Sequence, residues 1–280
     1  MKFEAKIENK ILRPWLKSTF SVVDEFVLSI CKTGFRMVAV DPANVCMVRA
    51  SLSDKLFNSY NPELDTDGAI KIGLDTQLRD VVINSPLRSV IQLKLERGGE
   101  NDDIMLVAKV DKITYTIRTL LPDSIRKEPK VPKLDLPLCA SVPLNFLCDI
   151  VKAVEKAGHD YIAFKYLNNM DITDPSRLIL STSDEWGKRK VESELLLDEM
   201  GPSIVRQTAT QGNACDPSFH TLVSMDYLVD IMKGFRSFDQ KGLKDNYVKI
   251  NLGTDYPMIF DFAKHGLNIK YLLAPRIESN

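Results

Sequence analysis

The stretch PDSIRKEPKVPKLDLP lies near the midpoint of the 280-residue chain, from Pro122 to Pro137. It contains two further prolines, Pro129 and Pro132, and most of its other residues are polar or charged. Because proline removes a backbone donor, such a segment forms neither a helix nor a central strand. We therefore interpret residues 122–137 as an extended connector between two domains, 1–121 and 138–280.

The same order of elements is predicted on both sides of this connector. Each half opens with a short strand and an amphipathic helix, continues through several strands, and closes with a second helix and three more strands. The helices are predicted at about 9–24, 75–83, 143–157 and 225–236. The strands are predicted at 2–7, 26–30, 35–40, 45–52, 90–96, 104–110 and 112–121, and then at 138–142, 161–166, 177–181, 191–197, 247–252, 258–263 and 268–273. This repetition predicts a duplicated α+β architecture.

The composition excludes several classes of protein. Lys and Arg number 37 and Asp and Glu 38, so the net charge is -1, and 44% of the residues are hydrophobic. These values exclude a disordered chain and a uniformly basic nucleic-acid coat. No apolar run approaches the ~18 residues of a spanning helix, and the start has no secretory core. We expect an intracellular protein with no membrane partner.

The familiar signatures of enzymes are missing from the sequence. It contains no GxGxxG and no GxxxxGK[ST] phosphate-binding loop. The three histidines are far apart, and the five cysteines show no CxxC spacing. The acidic run from Glu100 to Asp103 is best explained as a hairpin loop. We therefore expect no catalytic residue, no metal and no cofactor.

All four predicted helices carry cations on the face opposite their apolar stripe. In the first helix Lys10, Arg13 and Lys17 follow each other at spacings of three and four. The later helices place these cations on their polar faces: Arg79, Lys152, Lys156, Lys233 and Arg236. The solvated face of an ordinary surface helix also carries lysines and arginines. In a protein of net charge -1, however, four such faces favour one basic surface, with the compensating acids elsewhere.

Three segments resemble those of the sliding clamps of archaea and eukaryotes, the proliferating cell nuclear antigen (PCNA) family. They are DPANVCMV at 41–48, RKEPKVPKL at 126–134 and YLLAPRIE at 271–278. The resemblance spans the whole chain and implies two similar domains per subunit. It also implies a trimeric ring of six domains, with helices lining a central hole and antiparallel sheets forming the outer wall.

The resemblance further implies a function. A family member is a non-enzymatic processivity factor that encircles double-stranded DNA without sequence specificity, in the cytoplasm or nucleoid if archaeal and in the nucleus if eukaryotic. It tethers DNA polymerase, the clamp loader, flap endonuclease and DNA ligase through short peptide motifs. By position along the family pattern, the residues that face DNA are Lys10, Arg13, Lys17, Arg79, Lys152, Lys156, Lys233 and Arg236. Asp226 and Val82 stand where the family often has basic residues.

Two further surfaces are implied by the resemblance. A pocket for partner peptides corresponds to Val40, Asn44, Val45, Met47, Val131, Leu134, Pro257, Leu272, Ala274, Pro275 and Ile277. Without the resemblance, these residues are typical of strand ends and a turn. Pairing of edge strands between subunits corresponds to the segments 114–121 and 188–195, with the interface residues Thr114, Tyr115, Thr116, Ile117, Arg118, Lys188, Arg189, Lys190 and Val191. An alternative function is a peptide-binding scaffold of the same family that never encircles DNA.

Overall fold

In the computed structural model, the described residues are 2–64, 68–98, 103–127, 134, 136–167, 176–183, 189–196, 218–238 and 246–276. The chain divides into two compact units. The first consists of residues 1–130 with 263–269, and the second of 131–262 with 270–280. The main division falls within the segment predicted as a connector. The predicted domain limits, 1–121 and 138–280, stay a prediction.

The first unit combines two helices with antiparallel sheets. Its elements in chain order are β1 (Lys2–Glu8), α1 (Asn9–Thr19), β2 (Glu25–Cys31), β3 (Gly34–Val40), β4 (Cys46–Ser53), β5 (Ser59–Glu63), β6 (Ile70–Asp75), α2 (Gln77–Asn84), β7 (Val90–Gly98), β8 (Asp103–Val110) and β9 (Ile113–Arg118). One sheet has the strand order β5-β1-β7-β8-β9, and β4-β3-β2-β6 are neighbours in a second sheet. Strand β9 therefore forms one edge of the first sheet.

The second unit repeats this combination. Its elements are β10 (Leu138–Pro143), α3 (Leu144–Ala157), β11 (Tyr161–Leu167), β12 (Arg177–Ser183), β13 (Lys190–Leu196), β14 (Ser218–Ser224), α4 (Met225–Arg236), β15 (Tyr247–Leu252), β16 (Met258–Lys264) and β17 (Leu267–Leu273). A four-stranded sheet has the order β13-β12-β11-β14, and β10-β15-β16-β17 are neighbours in another. The predicted α+β class and the repeated order of elements are confirmed, and β13 lies at an edge.

Hydrophobic periodicity explains these elements. In β1, Phe3, Ala5 and Ile7 are buried while the residues between them are exposed, which is the period of two expected of a strand with one face in a core. In α1 the buried residues include Leu12, Trp15 and Leu16, and in α3 the stripe is Leu147, Ile150, Val151 and Val154. Each helix thus turns one face to its own unit and leaves the opposite face polar.

The first helix is shorter than predicted. The prediction extended it to Asp24, but α1 ends at Thr19. The hydroxyl of Thr19 donates to the Leu16 carbonyl at 3.0 Å, and the hydroxyl of Ser21 donates to the Ser18 carbonyl at 2.9 Å. Such side chains compete with the helical backbone for its carbonyls. Phe20 and Val23 are buried, but they lie beyond the end of the helix.

Three strands were missing from the prediction: β5, β6 and β14. Strand β5 contains Pro62 and polar residues, and it lies at a sheet edge beside β1, where proline is tolerated. Strand β6 is interrupted by Gly73, which weakens its strand pattern. The predicted strand 112–121 is also too long, since β9 ends at Arg118 and Leu120 instead bridges to Gly73 of β6.

Candidate functional site

The polar face of α1 carries three of the predicted DNA-facing cations in three different environments. Lys10 is exposed and forms an ion pair with Glu8. Lys17 is exposed in the last turn, where the negative end of the helix dipole stabilises a cation. It makes no ion pair with any described residue. Arg13, between them, is half-buried.

Arg13 points towards the end of the neighbouring helix. Its Nη2 donates to the Val82 carbonyl at 3.2 Å and also to the Ser85 carbonyl. One turn earlier, the Nδ2 of the buried Asn9 donates to the carbonyls of Val82, Ser85 and Pro86 at 3.0, 3.1 and 3.0 Å. Because the last carbonyls of a helix have no partner within it, these two side chains satisfy the C-terminus of α2.

Arg79 of α2 is likewise engaged by its own unit. Its Nη2 lies 2.9 Å from an oxygen of the exposed Asp80, and its guanidinium lies 5.7 Å from the centre of the Phe20 ring. Planar guanidinium groups stack on aromatic rings in this way. Val82, where the family often has a basic residue, is fully buried and belongs to the core.

In the second unit, too, some helix cations are unpaired among the described residues and others are engaged by their own chain. Lys152 and Lys156 of α3 are exposed and make no ion pair with any residue that the structure describes. Lys233 of α4 pairs with Asp230 at 3.0 Å, and the Nη2 of Arg236 donates to the Cys148 carbonyl of α3 at 2.7 Å. Asp226 is exposed in the first turn of α4, where an acid favours the positive end of the dipole.

The first-unit members of the predicted peptide pocket surround a tight turn after β3. Val40, Val45 and Met47 are half-buried, and Asn44 is exposed with a left-handed φ of 60°. The turn is held by the buried Asp41, whose carboxylate accepts hydrogen bonds from the backbone amides of Ala43, Val45 and Cys46 at 2.9, 2.7 and 2.6 Å. Three charge-assisted bonds make this turn rigid.

The members assigned to the second unit are partly covered. Leu134, Pro257, Leu272, Ala274 and Pro275 are half-buried, which leaves apolar surface available on each. Val131 and Ile277 lie outside the described residues.

Two structural features near the turn after β3 were missed by sequence reasoning. Arg126 Nη1 donates to the carbonyls of Asp41 and Pro42 at 2.9 and 3.2 Å. A concavity of about 730 Å³ lies beside it and shares Val40 with the predicted pocket. Its other lining residues include Val23, Asp24, Glu25, Ala39, Asp75 and Ile125. Arg126 opens the segment 126–134 in the sequence, but that segment contains no signal that it binds this turn.

The predicted interface residues that the structure describes lie on β9 and β13, two edge strands, except Arg189, which directly precedes β13. Thr114, Thr116 and Arg118 are exposed on β9, whereas Ile117 is buried in its own unit, and Arg118 pairs with Asp103 at 2.8 Å. On β13, Val191 is half-buried and Lys190 pairs with Glu192 at 2.7 Å. Tyr115 is half-buried, Arg189 is exposed, and Lys188 lies outside the described residues.

The described part of the chain has neither a metal-binding cluster nor a membrane-spanning helix. No group of three or more His, Cys, Asp or Glu residues there is arranged to hold a metal ion. None of the helices there is both long and apolar enough to cross a membrane.

Comparison with curated proteins identifies relatives over the full length of the chain. It is 32% identical over 281 residues to the DNA polymerase sliding clamp of Methanosarcina mazei, a match that covers 99% of this chain and 100% of the relative. It is 33% identical over 283 residues to the DNA polymerase sliding clamp of Natronomonas pharaonis, with the same coverage. No family model matches the chain.

Comparison with solved structures gives the same fold. A. fulgidus PCNA, in a complex with the C-terminal region of FEN-1, is 22% identical with a TM-score of 0.77, and the match covers 99% of this chain and 100% of that one. PCNA from Thermococcus kodakaraensis is also 22% identical, with a TM-score of 0.75 over 98% of this chain and 100% of that one. The chain therefore has the fold of those proteins.

Proposed function

Because the chain belongs to the family of DNA polymerase sliding clamps, we propose that three copies of it close into a ring around double-stranded DNA. In this proposal the ring is a non-enzymatic processivity factor that slides along the duplex and tethers replication enzymes. The observation that carries the proposal is the match to curated sliding clamps over 99% of this chain and the whole length of the relative.

The cations of the helices support contact with DNA of the weak kind that sliding needs. Lys17, Lys152 and Lys156 are exposed, lie on helix faces opposite the core, and make no ion pair with any described residue. Each neutralised phosphate makes binding weaker as salt rises. The salt slope, which is the slope of the logarithm of the binding constant against the logarithm of salt concentration, is near -0.9 per phosphate contact. A few such contacts keep the protein mobile on the duplex, so retention would come from closure of the ring.

The rigid turn after β3 supports the tethering of partners. The carboxylate of Asp41 fixes the turn through three backbone amides, and Val40, Val45 and Met47 around it are half-exposed. Because the turn is already ordered, binding a peptide there would cost little conformational entropy. Apolar anchors of a short peptide, carried by a DNA polymerase, clamp loader, flap endonuclease or DNA ligase, are the expected ligand. The A. fulgidus relative has been solved with a segment of FEN-1, which fits a ligand of this class.

The decisive experiment compares retention on closed and open DNA. The labelled protein is loaded on a nicked circular plasmid, and half of the sample is then cut once with a restriction enzyme. We expect the protein to stay on the circle and to leave the linear molecule through its ends. Equal retention on both forms would contradict encirclement and favour the alternative, a scaffold that binds peptides without enclosing DNA.

A matched pair of double variants tests the helix face. Lys152→Ala/Lys156→Ala removes two cations from α3, and Lys165→Ala/Lys249→Ala removes two exposed cations from strands β11 and β15 of the same unit. We expect only the first pair to weaken DNA binding, with a salt slope that falls by about 0.9 for each lost phosphate contact. Both variants should keep the mass and peptide binding of the parent protein.

A further inference from the structure

The arginines of the predicted DNA face share a property that its unpaired lysines lack, because each arginine contacts its own chain. Arg13 donates to carbonyls at the end of α2, Arg79 packs on Phe20 beside Asp80, and Arg236 donates to a carbonyl of α3. Lys17, Lys152 and Lys156 have no such partner among the described residues.

In the first unit, Arg13 binds across two helices that are far apart in sequence. Its partners Val82 and Ser85 lie 69 and 72 residues away. The Nε of Arg13 is buried and has no hydrogen-bond partner among the described residues, although the side chain as a whole is only half-buried. Without Arg13 and Asn9, the carbonyls at the C-terminus of α2 would lose their side-chain partners. Because Ser85 is buried, with only 7% of its surface exposed, water would not readily replace them.

In the second unit, Arg236 makes the equivalent connection in the opposite direction. It lies at the last residue of α4 and donates to the Cys148 carbonyl in the second turn of α3, at 2.7 Å and 88 residues away. A helix carbonyl has a second lone pair that can accept this bond beside its helical one. In both units, therefore, one arginine joins the two helices of the pair.

We propose that Arg13 and Arg236 are positioning residues that tie α1 to α2 and α3 to α4, and that direct phosphate contact falls to the lysines Lys17, Lys152 and Lys156. The assignment of phosphate contact to the lysines rests on the proposed function, whereas the tie between the helices does not. Arginine suits the tie because its planar guanidinium holds the Nη2 donor in a fixed geometry. Lysine suits sliding because its single ammonium on a flexible stem forms exchangeable contacts.

Conservative substitutions separate the two roles. Arg13→Lys keeps the positive charge but loses the planar guanidinium and its Nη2 donor, so we expect the midpoint of thermal unfolding to fall by about 2–4 °C. The salt slope for binding a labelled linear duplex should stay that of the parent. Lys17→Gln should leave the midpoint of thermal unfolding unchanged and should reduce the size of the salt slope for DNA binding by about 0.9. Arg236→Lys and Lys156→Gln form the same comparison in the second unit.

The matched control is Arg88→Lys, because Arg88 is exposed in the turn between α2 and β7. We expect this variant to keep both the unfolding midpoint and the salt slope. Arg13→Lys and Arg236→Lys with unchanged midpoints would overturn the tie. A reduced slope in Arg13→Gln, equal to that of Lys17→Gln, would overturn the division of roles. If no lysine variant alters DNA binding while the arginine variants still lower the midpoint, the assignment of phosphate contact to these lysines fails and the tie between the helices stands; the proposed function itself fails only if retention on circular and linear DNA is equal.

Discussion

Tyr60 shows how a single polar group is accommodated in an aromatic cluster. Its ring centre lies 4.8 to 5.9 Å from those of Phe3, Phe35 and Phe57. Its hydroxyl donates to the Cys31 carbonyl at 2.7 Å. Burial raises the pKa of Tyr60 far above its ordinary value, and the nearby negative charges of Cys31 and Asp54 raise it further.

The raised pKa predicts a loss of stability in alkali. Above pH 10 the unfolded tyrosine ionises while the folded one keeps its proton. The unfolded state then binds fewer protons, so the free energy of unfolding falls as pH rises, by about 1.4 kcal/mol per pH unit. Tyr60→Phe cannot ionise, but it loses a hydrogen bond worth about 1 kcal/mol. We expect it to be less stable than the parent at pH 8 and to match it near pH 11 in denaturant titrations.

The control for this prediction is Tyr256→Phe, since Tyr256 is 57% exposed. Its stability should follow that of the parent at both pH values. A constant difference between Tyr60→Phe and the parent from pH 8 to pH 11 would contradict the assigned role of Tyr60.

At the scale of single residues, the sequence predicted which face a side chain occupies but not what it binds. The spacing of Lys10, Arg13 and Lys17 correctly placed them opposite the buried stripe of α1. The hydrogen bonds of Arg13 depend on carbonyls about 70 residues away, and no local pattern encodes that proximity. The same holds for Arg126 and the turn at Asp41.

Among the elements, β6 approaches the segment after β9 so closely that no side chain fits at Gly73. Gly73 and Leu120 exchange two backbone hydrogen bonds, of 3.0 and 2.9 Å. A Cβ atom at Gly73 would lie 2.7 Å from the Leu120 carbonyl oxygen and 2.5 Å from Cδ1 of Ile125. Any other residue at this position therefore forces the segment away from β6.

This contact gives a prediction for Gly73→Ala. The extra methyl group should lower the free energy of unfolding by about 2 kcal/mol, because backbone atoms cannot yield as a flexible side chain does. The amide of Leu120 should also lose protection from hydrogen exchange, since its bond to the Gly73 carbonyl is displaced. Denaturant titration and exchange measured by mass spectrometry test the two effects.

Gly98→Ala is the matched control, because the nearest atom to a Cβ there is Cγ of Met105 at 3.9 Å. We expect little change in stability or exchange from it. Normal Leu120 protection in Gly73→Ala would show that the segment does not depend on this close approach.

The helices could be predicted better than the strands, for a physical reason. Each helix carries its apolar stripe within one continuous segment, so α3 and α4 were predicted to within a residue. Strands β5 and β6 are specified by their neighbours instead: β5 pairs with β1, and β6 pairs with β2. Their own sequences, with Pro62 and Gly73, are weak strand signals.

For the whole molecule, β9 and β13 are two of the edge strands whose outer side pairs with no other strand of the described chain. Strands β9 and β13 each end a sheet of their own unit, and an open edge favours pairing with another chain. The duplicated order of elements, which the sequence did predict, places β9 in the first unit and β13 in the second, and the opposite edges of the same two sheets are β5 and β14. Head-to-tail pairing of β9 with β13 of the next copy would use both edges and close after three copies.

This assembly predicts the effect of a charge reversal on β9. Arg118 is exposed on the edge strand and pairs with Asp103 at 2.8 Å. Arg118→Glu places like charges side by side at the edge, so we expect the mass in solution to fall from three times 31.6 kDa towards that of one chain. Lys109→Glu changes the same charge on β8, one strand inside the edge, and should leave the trimer intact. Light scattering at equal concentrations measures both, and far-UV circular dichroism checks that each variant is folded. A parent protein that stays monomeric at every concentration, or an Arg118→Glu variant that stays trimeric, would contradict the pairing of these edges.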